Sequence, residues 1–181
     1  MTTVPPHDDG AAAPSRSRSA RTVPLYDDGM RVTTKSDYAL RALIEIADSG
    51  DGDPISADEL GRRQDIPKGF LQAILADLRR AGILVSVRGK SGGWRFADSA
   101  AEVTAADVIR AVDGPLVSIY GQRPEAVEYD AAAEALQQVW VAARYALRDV
   151  LEKVTIADLA AKTLPPEIAD KAAIEDAWQP H

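Results

Sequence analysis

The residues that could do chemistry in this chain are cations and amides rather than nucleophiles or metal ligands. The 181 residues include no cysteine, and the two histidines, His7 and His181, lie near opposite ends. Thiolate or histidine catalysis is therefore not expected, and neither is a metal ion or other cofactor. Carboxylates such as Glu125 and Glu128 lie in an acidic segment without a base or metal partner, so we do not expect an enzyme.

Positive charge is concentrated in one part of an acidic chain. The formal net charge is −7, yet the stretch from Arg62 to Arg95 holds eight basic residues against two acidic ones, Asp65 and Asp77. Such a stretch can bind a polyanion locally while the rest of the chain keeps the protein soluble. A charge run alone more often forms a solvated face, so the motifs around it must decide.

A basic, glycine-rich string, Arg88-Gly89-Lys90-Ser91-Gly92-Gly93, separates two short apolar runs. A nucleotide-binding loop would need a following helix and a Lys-Ser/Thr pair after its last glycine, whereas an aromatic strand follows here. The string therefore predicts a hairpin tip whose Arg88, Lys90 and Ser91 reach DNA phosphates or the minor groove. An ordinary basic turn is the alternative.

The helix predicted from Pro67 to Ala81 has two unlike faces. Its apolar stripe, which we predict to be buried, consists of Phe70, Leu71, Ile74, Leu75 and Leu78. The opposite face carries Gly69, Ala73 and Ala76, flanked by Lys68, Gln72 and Arg79. Small residues permit close approach to DNA, and Gln72 can pair bidentately with an adenine edge. For Gln72 a solvated helix position is the alternative.

Several elements are required to position these residues. We predict a helix capped by Thr34 or Ser36, a short helix from a capping box at Ser56 to Gln64, the helix 67–81, and a hairpin of strands 83–87 and 94–96. This is the order of a winged helix-turn-helix unit. The predicted fold class is mainly α with a small β-hairpin wing, plus a long dimerisation helix.

The chain divides into five regions. We predict a disordered N-terminal arm at 1–29, the winged unit at 30–97, a helix and irregular connecting segment at 98–129, a dimerisation helix with a short capping helix at 130–162, and a C-terminal tail at 163–181. Met30 could be the true start. No apolar run is long enough for a membrane span or a secretory signal, so a cytoplasmic protein without membrane contact is expected.

The long helix, predicted from Asp130 to Val154, carries an apolar stripe about 120° wide. The stripe positions are Leu136, Val139, Trp140, Ala143, Leu147, Val150, Leu151 and Val154. One winged unit cannot cover a stripe of this length, so we predict that it forms a homodimer interface.

Segments 33–43, 66–72, 78–84 and 86–96 resemble the Rrf-two family of bacterial winged helix-turn-helix regulators, which includes the iron–sulfur cluster regulator and the nitric-oxide-sensing repressor. Segments 104–116 and 154–159 extend the match. The resemblance implies a homodimer on a pseudo-palindromic operator in double-stranded DNA, with helix 67–81 of each copy in the major groove. It implies further DNA contacts at Thr34, Lys35, Tyr38, Arg41 and Ser56.

The chain departs from this family at one segment. Cluster-binding members carry three cysteines before the long helix, whereas 117–129 has none. A small-molecule or protein effector, or constitutive binding, becomes the expectation. Tyr120, Tyr129 and Trp140 are candidate pocket residues, with a core role as the alternative. We predict a homodimeric, sequence-specific repressor without an iron–sulfur cluster; a winged helix used only for protein contacts is the alternative.

Overall fold

The structure, a computed structural model, describes residues 32–50, 52–89 and 91–180. Within these ranges the predicted class is confirmed, since seven α-helices accompany one two-stranded antiparallel sheet. The helices are α1 (Thr34–Asp48), α2 (Ala57–Gln64), α3 (Lys68–Arg80), α4 (Ala105–Asp113), α5 (Glu134–Leu151), α6 (Ile156–Ala160) and α7 (Pro166–Ala172), and the strands are β1 (Leu84–Val87) and β2 (Gly93–Phe96). The predicted arm at 1–29, Met30 and Lys90 lie outside the described residues.

The start of α1 is fixed by a side chain one residue earlier than predicted. Thr33 caps the helix, and its hydroxyl accepts the amide of Ser36 at 3.0 Å. Thr34 is the first helical residue, and Ser36 is fully buried. The hydroxyls of Thr33 and Ser36 both donate to the carboxylate of Asp113, which attaches the start of α1 to the end of α4.

The start of α2 confirms half of the predicted capping box. The Ser56 hydroxyl accepts the amide of Glu59 at 3.2 Å. The Glu59 carboxylate instead binds Arg62 and Arg63, so it does not return to the cap. Pro67 precedes α3 as its cap residue rather than occupying the first turn.

One hydrophobic core joins α1, α2, α3, α4, α6 and the hairpin. Its fully buried large side chains include Leu43, Leu60, Leu71, Ile74, Leu75, Leu78, Leu84 and Ile156. Burial stabilises the fold by about 1.5–3 kcal/mol for each such side chain. Because Ile156 belongs to this core and α6 packs on α1, the short helix after α5 is part of the winged unit by packing.

The hairpin is attached to the start of α2. Its strands pair so that Val87 lies opposite Gly93. Ile55 forms a further antiparallel bridge with Trp94, with N···O distances of 3.1 and 2.8 Å. This approach requires a glycine, since a Cβ at Gly93 would lie 2.4 Å from the Ile55 carbonyl oxygen. The wing is therefore held in place by backbone pairing on both sides of β2.

Helices α4 and α6 begin in the same way. Thr104 and Thr155 each accept the amide of the aspartate three residues later, at 3.2 and 3.1 Å. Asp107 and Asp158 return to the cap amides, which completes two capping boxes. The two threonines also form an isolated antiparallel bridge, so the beginnings of α4 and α6 lie side by side.

Helix α5 is shorter than predicted. It begins at Glu134 rather than Asp130, because Ala131–Ala133 form a 3-10 turn, and it ends at Leu151. None of its 18 residues is buried. Among the described residues, no helix has the length and apolar character to cross a membrane.

The tail, whose order the sequence leaves open, contains α7 and a 3-10 turn at Glu175–Trp178. Ile168 of α7 is buried. Lys171 lies 2.6 Å from the Asp149 carboxylate on α5. Hydrogen bonds from Lys153 and Lys171 lower the pKa of Asp149 to about 2, so this attachment stays charged at neutral pH.

Candidate nucleic-acid interface

The outer face of α3 is small, polar and uncovered. Gly69, Gln72 and Ala73 are exposed, while the helix buries four leucine and isoleucine side chains on its other side. A Cβ at Gly69 would meet nothing within 4 Å. The Gln72 amide makes no hydrogen bond to any residue that the structure describes. This face can therefore enter a groove with an unengaged donor and acceptor at its centre.

Phe70 does not join the buried stripe of α3, which corrects the prediction. It is 54% exposed, because it lies about 90° from the centre of the stripe in a helix of 3.6 residues per turn. Its ring instead meets Tyr38 of α1 edge-on, with the centroids 6.2 Å apart. An aromatic pair, of which Phe70 is the exposed member, thus borders the outer face of α3, and only the edge position of Phe70 in the stripe could have indicated it.

Two predicted DNA contacts on α1 make interhelical contacts. Lys35 Nζ lies 2.7 Å from the Asp77 carboxylate on α3 and donates to the carbonyl of Val112 on α4. The hydrogen bond from Lys35 to the Asp77 carboxylate is the main reason that the pKa of Asp77 is lowered. Arg41 donates to the backbone carbonyl and side chain of Gln64. Both cations therefore hold α1 against its neighbours, and their contact with DNA stays a prediction.

Arg41 also contacts Tyr38, one member of the aromatic pair with Phe70. Its guanidinium carbon lies 5.5 Å from the centroid of the Tyr38 ring, within range of a cation–π contact. Tyr38 is half-buried, so its ring is positioned from both sides. Thr34, the remaining predicted contact on α1, is exposed in the first turn.

Two unpaired cations lie at the end of α3 and at the wing. Arg79 and Arg88 are exposed and make no ion pair with any described residue. Lys68 lies 2.9 Å from Asp58, but both side chains are more than two-thirds exposed, so the pair is weak and open to exchange. Ser91 is exposed at the tip, and Ser56 is exposed although its hydroxyl caps α2.

Arg62, Arg63 and Arg80 of the stretch are paired, whereas Arg95 on β2 donates, among the described residues, only to the carbonyl of Phe96. Arg62 and Arg63 both bind Glu59, and their hydrogen bonds lower its pKa to about 2. Arg80 lies 2.8 Å from Asp77. The positive charge counted from the sequence is therefore partly neutralised on α2, which leaves the excess beside the exposed face of α3.

The predicted dimer stripe is an open apolar face along α5, whereas its last position, Val154, lies beyond the helix and is buried. Within α5, the positions Leu136, Val139, Trp140, Ala143, Leu147, Val150 and Leu151 are all exposed or half-buried. Val139 is 55% exposed. Tyr145, on another side of the helix, is 69% exposed and was not part of the prediction. The described chain therefore leaves more apolar surface on α5 than the stripe alone.

The fold and this surface define a winged helix-turn-helix DNA-binding protein. Residues 32–162 match the sequence model of the Rrf2 family, which is described as an iron-dependent transcriptional regulator. The chain belongs to this family. It is accordingly a DNA-binding transcription regulator and not an enzyme, and the alternative of a module for protein contacts alone is set aside.

Relatives agree with this assignment. The helix-turn-helix regulator Rv1287 of Mycobacterium tuberculosis is 38% identical over 143 residues, which cover 79% of this chain and 89% of the relative. CymR of Bacillus subtilis is 30% identical over 134 residues, covering 74% and 92%. The structure of CymR, the global cysteine regulator of B. subtilis, matches with a TM-score of 0.61 at 29% identity, covering 74% of this chain and 98% of that one. The structure of T. potens IscR matches with a TM-score of 0.59 at 27% sequence identity, covering 84% of this chain and 94% of that one.

The iron in the family description does not fit the residues of this chain. The sequence has no cysteine to supply thiolates to a cluster. The described residues contain no group of three or more histidine, cysteine or acidic side chains that could hold a metal ion. Glu125, in the segment where cluster-binding members carry cysteines, is bound to Arg144. The chain therefore offers no cysteine ligand set for an iron–sulfur cluster.

Proposed function

We propose that the protein is a homodimeric, sequence-specific repressor that binds a pseudo-palindromic operator, acts in the cytoplasm and uses no iron–sulfur cluster. In each copy α3 enters the major groove and the wing tip contacts phosphates. The observation that carries the proposal is the uncovered face of α3 at Gly69, Gln72 and Ala73, together with the unpaired Arg79 on α3 and Arg88 at the wing. A small-molecule or protein effector sets its affinity.

Helix α5 supports the proposed dimer. A helix of 18 residues without one buried side chain gains little from hydrophobic burial within its own chain, and its apolar stripe is continuous. A second copy of α5 is the partner that a two-fold symmetric operator requires. The two α3 helices would then read two half-sites related by the same symmetry.

Repression follows from the limited contacts that the winged unit offers. A dimer whose α3 helices and wings occupy an operator excludes other proteins from the same DNA. Repression needs no further surface, whereas activation needs one that recruits the transcription machinery. Of the unpaired cations, Arg79 lies at the end of α3 and Arg88 at the wing, which are the two elements assigned to DNA.

A footprint on the gene's own upstream DNA, followed by fluorescence anisotropy on that site, tests the proposal. We expect a protected two-fold site and a steep fall in affinity with salt. Arg88→Ala should lower the salt slope by about one for each phosphate that the guanidinium neutralises. Arg62→Ala, which removes an exposed cation already paired with Glu59, should leave the slope unchanged. Equal affinity for all DNA sequences would contradict a specific operator.

A further inference from the structure

A cavity of about 460 Å³ lies where the end of α4, the connecting segment and the second half of α5 meet. Four of its lining side chains are arginines: Arg110, Arg123, Arg144 and Arg148. Glu125 is the acidic residue of the lining, and Pro115 and Leu116 supply apolar surface. The surrounding region, residues 98–181, is strongly acidic, with 15 acidic residues against 7 basic ones, so four clustered arginines are unusual for it.

Two of these arginines share one carboxylate. Arg110 of α4 and Arg148 of α5 both bind Glu152, the latter at 2.9 Å. Their hydrogen bonds lower the pKa of Glu152, so it is ionised at neutral pH and balances one of the two cations. Asp107 lies 3.3 Å from Arg110 but is half exposed, which weakens that pair.

The other two arginines leave a net charge. Arg144, whose side chain is 23% exposed, binds Glu125. Arg123 makes no ion pair with any residue that the structure describes. Arg123 is exposed, and its charge adds to that of three other guanidinium groups, so a bound anion would lower the repulsion among them. Guanidinium groups present paired N–H donors that match carboxylate and phosphate oxygens.

We propose that this cavity binds a small organic anion with at least two negative charges, either a polycarboxylate or a phosphate ester, and that this anion is the effector. The volume is within the range of small-molecule sites, and Pro115 and Leu116 would contact the organic part. None of Tyr120, Tyr129 and Trp140, the pocket candidates from the sequence, lines it.

The position of the cavity between α4 and α5 explains how a bound anion would change the affinity for DNA. Arg110 belongs to α4, which packs in the winged core, whereas Arg144 and Arg148 belong to α5. Helix α5 buries no side chain, so ion pairs at this junction contribute to its orientation. An anion bridging the two helices would change the angle of α5 and thus the spacing of the two α3 helices in the dimer. This regulatory step rests on the proposed function, whereas anion binding does not.

The binding step is tested by titration calorimetry of the full chain with citrate and with pyrophosphate, each at constant ionic strength set by sodium chloride. We expect saturable binding of one anion per chain; the tighter of the two probes identifies the carboxylate or phosphate class. Arg123→Gln, which breaks no ion pair to the described residues, should weaken binding at least tenfold, and so should Arg144→Gln. Arg62→Gln on α2 is the matched control and should bind as the unchanged protein does.

Two results would overturn the binding step. One is the absence of saturation by either probe, as would occur if acidic residues of a second copy fill the cavity. The other is an equal loss of binding in Arg62→Gln and Arg123→Gln, which would mean unspecific attraction. Thermal melts of each variant establish that it is folded.

The regulatory step is tested by measuring operator affinity with and without the bound probe. We expect at least a threefold change for the unchanged protein and none for Arg123→Gln, whose affinity without anion should be normal. Anion binding with unchanged DNA affinity would refute the effector role and leave the proposed function intact. A chain that binds the anion but no specific DNA would refute the proposed function and leave the binding site intact.

Discussion

At Gln72 one amide carries the base-reading part of the proposal. It lies one turn into α3, it is exposed, and it makes no hydrogen bond to the described residues. An amide of this kind offers the donor and acceptor that adenine presents in the major groove. Arg79 and Arg88, in contrast, offer charge without sequence information.

Replacing Gln72 with Ala should therefore change specificity rather than folding. We expect a loss of roughly 1–3 kcal/mol on the operator, little loss on unrelated DNA, and a relaxed preference at one base position in each half-site. Binding selections from a randomised operator measure this directly. A folded Gln72→Ala variant with an unchanged base preference would place the groove register elsewhere on α3, with Lys68 as the next candidate.

Substitutions at two glycines, Gly93 and Gly69, should have different effects on stability and on DNA binding. A Cβ at Gly93 would lie 2.4 Å from the carbonyl oxygen of Ile55, so Gly93→Ala should displace the wing and lower the melting temperature. Gly69→Ala meets nothing within 4 Å and should stabilise α3 by up to about 1 kcal/mol, since alanine favours helix over glycine. Its methyl group should nevertheless weaken operator binding, because it stands on the face assigned to the groove. Melting and anisotropy on both variants compare the two effects. Normal operator affinity in Gly69→Ala would mean that this turn stays clear of DNA.

At the level of elements, one lysine of α1 binds both α3 and α4. Lys35 binds the carboxylate of Asp77, whose side chain is 17% exposed, and the carbonyl of Val112. The family resemblance assigns Lys35 to DNA. The contact that occupies it joins residues far apart in the chain and depends on how three helices pack.

Replacing Lys35 with Met should accordingly cost stability. It leaves a mostly buried carboxylate with Arg80 as its remaining partner, at a cost of about 1–3 kcal/mol. Because Lys35 lowers the pKa of Asp77, this contribution is present above the pKa of an unfolded aspartate and is lost as the pH falls through the lowered value. Urea unfolding at several pH values should show less pH dependence in the variant. If Lys35→Met had unchanged stability but reduced DNA affinity, Lys35 would instead contact DNA, as the family resemblance implies.

The elements themselves were largely predictable, since caps, glycines and apolar periodicity act locally. The helices around Leu43 and Leu75 and the hairpin at Val87 and Trp94 follow from such signals. The features that the sequence did not predict correctly depend on how the helices pack. Phe70 lies at the edge of its stripe, and whether an edge position is buried is decided by the neighbouring helix. The arginine cavity joins residues 110 to 148, and no spacing in the sequence indicates that they meet.

At the level of the whole molecule, the dimer is the main expectation. Val139 is 55% exposed in one copy, so Val139→Asp should not disturb the fold of that copy, whereas a charge buried without a partner in an interface costs several kcal/mol. We expect a dimer at micromolar concentration for the unchanged chain and a monomer for Val139→Asp in sedimentation experiments. Gln138→Asp, which adds a charge at an exposed neighbouring position, should remain a dimer. A monomeric unchanged chain would contradict the assembly.

The bridge between Thr104 and Thr155 has a consequence for how such a regulator can change. The chain leaves the core after α4 and comes back at α6, beside the residue where α4 began. An excursion with fixed ends can be lengthened or rewritten at little entropic cost, because closure entropy depends only on the logarithm of loop length. The segment carrying α5 and the arginine cavity is thus a cassette. This segment can be exchanged in evolution or by engineering, so that the same DNA-binding unit responds to a different effector.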